Sequence, residues 1–145
     1  MFSGKIEVRR LRSSEVCLKV VNDVNALLRS QHSKAGRVDE ETLTTHARKS
    51  KVVVAWSDTN HVIGMGVLIV VHAVSHTFGN VHNLVIADGF DSLVLSKRIM
   101  DELLQGVDGL DFIEAGALPD DGDKINVLET LKFKRKQKLR FRHSV

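Results

Sequence analysis

The sequence predicts a single mixed α/β domain of the α+β kind, with a mostly antiparallel central sheet flanked by helices in the order β-α-α-β-β-β-α-β-α-β. Three observations carry that expectation. Apolar residues recur at spacings of three and four through 13–29 and again through 92–107. Short apolar, β-branched runs such as Val52-Val53-Val54-Ala55-Trp56 stand between turn residues. The strands cluster in the middle of the chain and do not alternate one for one with helices, so the order is neither a repeating βαβ array nor an all-strand fold. At 145 residues, with 43% apolar and 27% charged, the chain can build one core and is too short for two.

Each element has its own signal. Lys5 to Leu11, with Ile6, Val8 and Leu11 among charges, reads as the first strand. Ser13-Ser14-Glu15 offers a helix start, and Cys17, Val20, Val21, Val24, Leu27 and Leu28 form one stripe through Arg29. That stripe predicts a buried, inert Cys17 thiol. As the lone cysteine it has no intrachain partner, which fits a reducing, cytoplasmic setting. Gln31 to Arg37 is polar, and Val38-Asp39 followed by Leu43 gives a cap and hydrophobic staple for a second helix to about Arg48.

Lys51 to Ser57 is a strand, and Asp58-Thr59-Asn60 turns it into Val62 to Val74. His76 to Gly79 makes a second reversal before the strand Asn80 to Ile86. Trp56 is expected in the core. Gly64 and Gly66, inside a strand, mark a bulge, a close ligand approach or packing opposite a large side chain. After the Ala87–Asp91 turn, Asp91 or Ser92 caps a helix carrying Leu95, Ile99, Met100, Leu103, Leu104 and Val107, ended by Gly106 to Gly109. Leu110 to Ala115 is a further strand. The turn Pro119-Asp120-Asp121-Gly122 leads into a helix from about Asp123 to Leu131.

The net charge of +3 hides an asymmetry. Seven of the 21 Lys and Arg residues lie from Lys132 onward with no acid among them, leaving 14 basic against 18 acidic residues in the rest. Basic residues at 132, 134, 136, 138, 140 and 142 alternate with Phe133, Arg135, Gln137, Leu139 and Phe141, the period of a half-buried last strand. Its cationic face is either a solvated edge that blocks pairing with other chains or an attractor for an anionic partner such as phosphate groups or nucleic acid. Aromatics are only 5% of the chain, which argues against a base-stacking surface for nucleic acid. The apolar run Val62 to Val71 is about half of the roughly 20 residues a membrane helix needs, and 1–8 hold no apolar signal region. His72, His76 and His82 have no acidic or cysteine partner at a recognised ligand spacing, so no metal is expected.

Three segments in order resemble the GNAT N-acetyltransferase superfamily. Ile63-Gly64-Met65-Gly66-Val67-Leu68 looks like its third strand, Val81-His82-Asn83-Leu84-Val85-Ile86 like the fourth strand of glucosamine-6-phosphate N-acetyltransferases and small bacterial relatives, and Thr130-Leu131-Lys132-Phe133-Lys134-Arg135 like a motif near the C-terminus. The resemblance covers nearly the whole chain. It implies acetyl-CoA as co-substrate, no metal, and transfer of an acetyl group to a primary amine of a small molecule such as an amino sugar, by a monomer or a homodimer. On that resemblance His82 is the general base, and the backbone of Leu84, Val85 and Ile86 pairs with the pantetheine arm. The amides of Ser92, Leu93, Val94, Leu95 and Ser96 face the pyrophosphate, with Lys97 and Arg98 offsetting the charge of Asp88 and Asp91. The chain departs from the pattern in two places: the segment Asp91 to Ser96 lacks the glycines that let a backbone approach phosphate, and Leu128 stands where a tyrosine acid is frequent. These departures define the competing expectation, a non-catalytic binding or oligomerisation protein that kept the fold and lost the acetyl-CoA chemistry.

Overall fold

The computed structural model describes residues 5–31, 37–117, 121–136 and 143. Its elements are β1 (Glu7–Arg10), a single 3₁₀ turn (Ser13–Glu15), α1 (Leu18–Gln31), α2 (Glu40–Lys49), β2 (Lys51–Trp56), β3 (Val62–His72), β4 (Thr77–Ile86), α3 (Ser92–Leu104), β5 (Phe112–Ala115) and α4 (Gly122–Thr130). Among the described residues the five strands form one sheet in sequence order. β1 to β4 are antiparallel neighbours, and β5 runs parallel to β4. The mixed, mostly antiparallel architecture expected from the sequence is what the chain adopts.

Two apolar layers sandwich the sheet. Val52 and Val54 join Val20, Val21, Val24, Leu27, Leu28, Leu43 and Ala47 of α1 and α2 on one face. Val53 and Ala55 join Leu95, Ile99, Met100 and Leu103 of α3 and Val127 and Leu128 of α4 on the other. β2 is therefore buried on both sides, which explains why its sequence is a continuous apolar run.

Local chemistry sets the helix ends. The Asp39 carboxylate accepts the Thr42 amide hydrogen bond at 2.7 Å, and Val38 packs into the same layer as Leu43, the expected staple. Asp91 and Asp121 cap α3 and α4 in the same way. Lys132, at φ +67°, ends α4 in a left-handed turn in which the Phe133 amide donates to the Leu128 carbonyl.

Four expectations need correction. Cys17 is exposed, because α1 begins only at Leu18 and the apolar stripe loses its helical phase before reaching the thiol. The second reversal lies at 73–76, where the Ala73 amide donates to the His76 carbonyl, and not at His76 to Gly79. Gly79 is a buried strand residue: a Cβ there would stand 2.9 Å from Leu68 Cδ1, so the glycine serves packing and not a turn. α3 stops at Leu104, which leaves Val107 beyond the helix. Lys132 and Phe133 belong to the helix-ending turn and Lys134 to Lys136 form no strand, while 137–142, where the rest of the expected last strand falls, lie outside the described residues.

Gly64 and Gly66 face α3. A Cβ on Gly64 would meet Ile86 Cδ1 at 2.8 Å, and one on Gly66 would meet Ile99 Cγ2 at 2.9 Å and Leu103 Cδ1 at 3.0 Å. Packing opposite large side chains accounts for both glycines, and both also stand at bulges, with register shifts between Ala55 and Trp56 beside Gly64 and between Met65 and Val67 around Gly66. Trp56 is half-buried against the α1/α2 layer, with the Arg9 guanidinium 5.2 Å from its ring centroid.

Candidate functional site

The site arises where β4 and β5 part. Their parallel pairing runs from Phe78 opposite Phe112 to Val81 opposite Ala115 and then ends. β4 continues to Ile86 with its β5-side edge unpaired among the described residues, so the two strands form a fork. At the same point β4 carries a bulge. Met65 pairs with Val85 and Val67 with His82, so Asn83 and Leu84 together oppose the single residue Gly66. Asn83 absorbs the extra residue with φ +55°, a left-handed conformation that asparagine tolerates better than most residues.

The bulge also sorts side chains. Val81 and Leu84 both pack on the α3/α4 layer, while His82 and Asn83 between them are exposed. His82 lies opposite Val67, whose side chain belongs to the α1/α2 layer, so the imidazole projects from that face of the sheet. It makes no hydrogen bond among the described residues.

A cleft of about 1700 Å³ opens at the fork. It is lined by Leu84, Val85 and Ile86 of β4, by 112–117, by Ser92 and Ser96 of α3, and by Lys124, Leu128 and 132–136 on the α4 side. Ser30 of α1 lines it as well, so the cleft reaches from one face of the sheet towards the other. A small cavity at the fork itself is bounded by Val81, Asn83, Leu84, Ala115, Gly116, Lys124 and Leu128, with Lys124 its one ionisable side chain. Lys124 is largely buried and stands 3.8 Å from the Asp121 carboxylate.

The α3 N-terminus borders the cleft with Asp91 as its cap. The Asp91 carboxylate accepts from the Val94 amide at 3.1 Å and the Asp91 carbonyl from the Leu95 amide at 3.0 Å. Leu93 and Val94 are 39% and 51% exposed, and Leu95 is buried in the core. Lys97 pairs with Asp101 at 3.3 Å, and Arg98 reaches the Ile6 carbonyl at 3.2 Å.

Of the residues singled out from sequence, Leu84, Val85, Ile86, Ser92 and Ser96 therefore come together around the cleft. Leu93, Val94, Leu95 and Lys97 are not among its lining residues, and His82 sits on the neighbouring sheet face. Sequence reasoning missed Lys124 and the β5 exit Ala115 to Ala117. The consecutive polar pair His82-Asn83 inside an apolar strand was the available signal for the bulge.

No protein-family model matches the sequence, and no curated protein matches it. Solved structures do match. An acetyltransferase from Trypanosoma brucei superposes with a TM-score of 0.73 at 16% identity, covering 97% of this chain and 100% of that one. An aminoglycoside acetyltransferase from an uncultured soil metagenomic sample, solved with sisomicin, gives 0.78 at 14% identity, covering 97% and 96%. Glucosamine-6-phosphate N-acetyltransferase from Arabidopsis thaliana gives 0.73 at 15% identity, covering 96% and 98%. The chain has the acetyltransferase fold. More particularly, these three neighbours are all acetyltransferases by name, and the likeness of fold spans nearly the whole length of each chain.

Proposed function

We propose that the protein is an acetyl-CoA-dependent N-acetyltransferase that acetylates a primary amine of a small molecule, an amino sugar or another amine. The observation that carries this reading is the fork. Beyond Val81 the edge of β4 offers unpaired backbone groups, and an extended chain bearing amides can add there as a short strand. The pantetheine arm is such a chain, and Leu84 to Ile86 are the residues that would hold it. Its thioester supplies the acetyl group: the C–N bond to the amine forms as the C–S bond breaks, and CoA leaves as a thiolate that takes its proton from water.

His82 takes the proton that the attacking amine must lose. An imidazole is suited to base work near neutral pH, and this reading requires the amine to reach the thioester from the α1/α2 face, on which His82 is exposed. The transfer is of the ordinary acyl type, to groups other than aminoacyl ones. We place the protein in the cytoplasm, acting as a monomer or a homodimer, which light scattering distinguishes.

A second reading is favoured by a specific observation: Asp91 caps α3 where a coenzyme's pyrophosphate would approach, with Asp88 beside it in the cleft lining. On that reading the protein is a non-catalytic binding module. Calorimetric titration with acetyl-CoA and with CoA separates the two. Micromolar binding followed by turnover of an amine supports the enzyme, and no binding at millimolar coenzyme leaves the binding module.

A further inference from the structure

We propose that the phosphate-bearing end of the cleft's ligand is held by Lys132, Lys134 and Lys136, on the α4 side, and not by the amides at the start of α3. The inference rests on the reading of the cleft as an acetyl-CoA site and revises where that ligand's polyanion lies.

The α3 side is poorly placed to take it. Two of the first amides of α3 already serve Asp91, through its carboxylate and its carbonyl. The Asp91 carboxylate adds a negative charge at that end, and Asp88 adds another within the cleft lining. The side chains of Leu93 and Val94 crowd the first turn with exposed apolar surface. The two cations of the helix are committed elsewhere, Lys97 to Asp101 and Arg98 to the Ile6 carbonyl. Nothing on this wall compensates the charge of a pyrophosphate.

The basic residues of the cleft lining all lie on the α4 side. Lys132, Lys134 and Lys136 line the cleft, are exposed, and form no ion pair among the described residues. Of the acids on this side of the lining, Glu129 pairs with Arg135 at 3.2 Å and Asp121 with Lys124 at 3.8 Å, while Glu114 and Asp123 stand against the five basic residues Lys124, Lys132, Lys134, Arg135 and Lys136. The chain is anchored at Phe133, whose amide donates to the Leu128 carbonyl at 2.9 Å and whose ring packs on the α3/α4 layer. That anchor holds the flanking lysines at the cleft rim. Three free ammonium groups spaced along one wall suit a ligand carrying several phosphate charges.

The test titrates the full chain calorimetrically with acetyl-CoA, adenosine 3′,5′-bisphosphate and S-acetylpantetheine, at low and moderate salt. The proteins are the wild type, the double variant Lys134→Gln/Lys136→Gln, and Asp91→Asn, which keeps a helix cap while removing its charge. The double variant is expected to bind acetyl-CoA and the bisphosphate about tenfold more weakly, with a flatter salt dependence, and S-acetylpantetheine unchanged. Asp91→Asn is expected to change acetyl-CoA affinity by less than about twofold. Undiminished acetyl-CoA affinity in the double variant, or a several-fold gain in Asp91→Asn, overturns the inference while the acetyl-CoA reading stands. No acetyl-CoA binding by the wild type overturns both.

Discussion

Ile99 Cγ2 lies 2.9 Å from the point where a Cβ on Gly66 would stand, so α3 rests directly on the backbone of β3. That contact sets the height of α3 above the sheet, and with it one wall of the cleft. Gly66→Val forces α3 outward against Ile99 and Leu103 and is expected to cost about 1–3 kcal/mol, the usual range for overpacking a tight core. Urea denaturation measures the loss, and an unchanged midpoint would show that the helix shifts freely.

Asn83 tests the bulge. Asn83→Val places a β-branched residue at φ +55° and is expected to lose about 1–2 kcal/mol, whereas Asn83→Gly stays within a few tenths. If the bulge exposes the edge that holds the ligand, Asn83→Val also weakens acetyl-CoA binding and Asn83→Gly does not. Equal affinity in both variants would separate the bulge from the site.

His82→Ala is expected to lower kcat by about 10²-fold with the acetyl-CoA KM unchanged. The side chain is exposed and unbonded among the described residues, so the melting temperature stays where it was. Full turnover in this variant would remove His82 from the chemistry without touching the fold.

The Arg9–Glu15 pair gives stability a pH dependence. Hydrogen bonding from the Arg9 guanidinium, 2.7 Å away, holds the Glu15 carboxyl below its ordinary value, against a smaller opposing effect of burial. Because the folded-state pKa is depressed, the contribution is complete above the ordinary glutamate range and is lost as pH falls through the folded value. Both side chains are partly exposed, so Glu15→Gln is expected to cost about 1 kcal/mol at pH 7. The difference from wild type shrinks towards zero in acid. A gap that persists unchanged in acid would assign it to packing.

Much of the scaffold was legible because its signals are local. Val52 to Ala55 announced a strand, and the carboxylates of Asp39 and Asp91 announced two helix starts. Gly79 was misread because the same residue type serves turns and tight packing, and only the neighbours Leu68, Leu110 and Ile113 decide between them. Cys17 was misread because a stripe gives phase but not the residue at which a helix begins. The fork was hidden for a different reason: the pairing of Val81 with Ala115 joins residues far apart in the chain, and no spacing within either strand announces where it stops. Leu84 to Ile86 were singled out through the resemblance of 81–86 to a family strand, whereas Lys124 reaches the fork only through the packing of α4.

The cap on α3 has a consequence for any anion arriving at that end of the cleft. Asp91 is a carboxylate tethered to the Val94 amide, one of the donors an incoming phosphate would use, and such an intramolecular competitor acts at an effective concentration on the order of millimolar or higher. A free ligand present at micromolar levels meets a helix end that already holds its own permanent occupant. Binding there is a displacement, and its apparent affinity carries the cost of evicting the side chain.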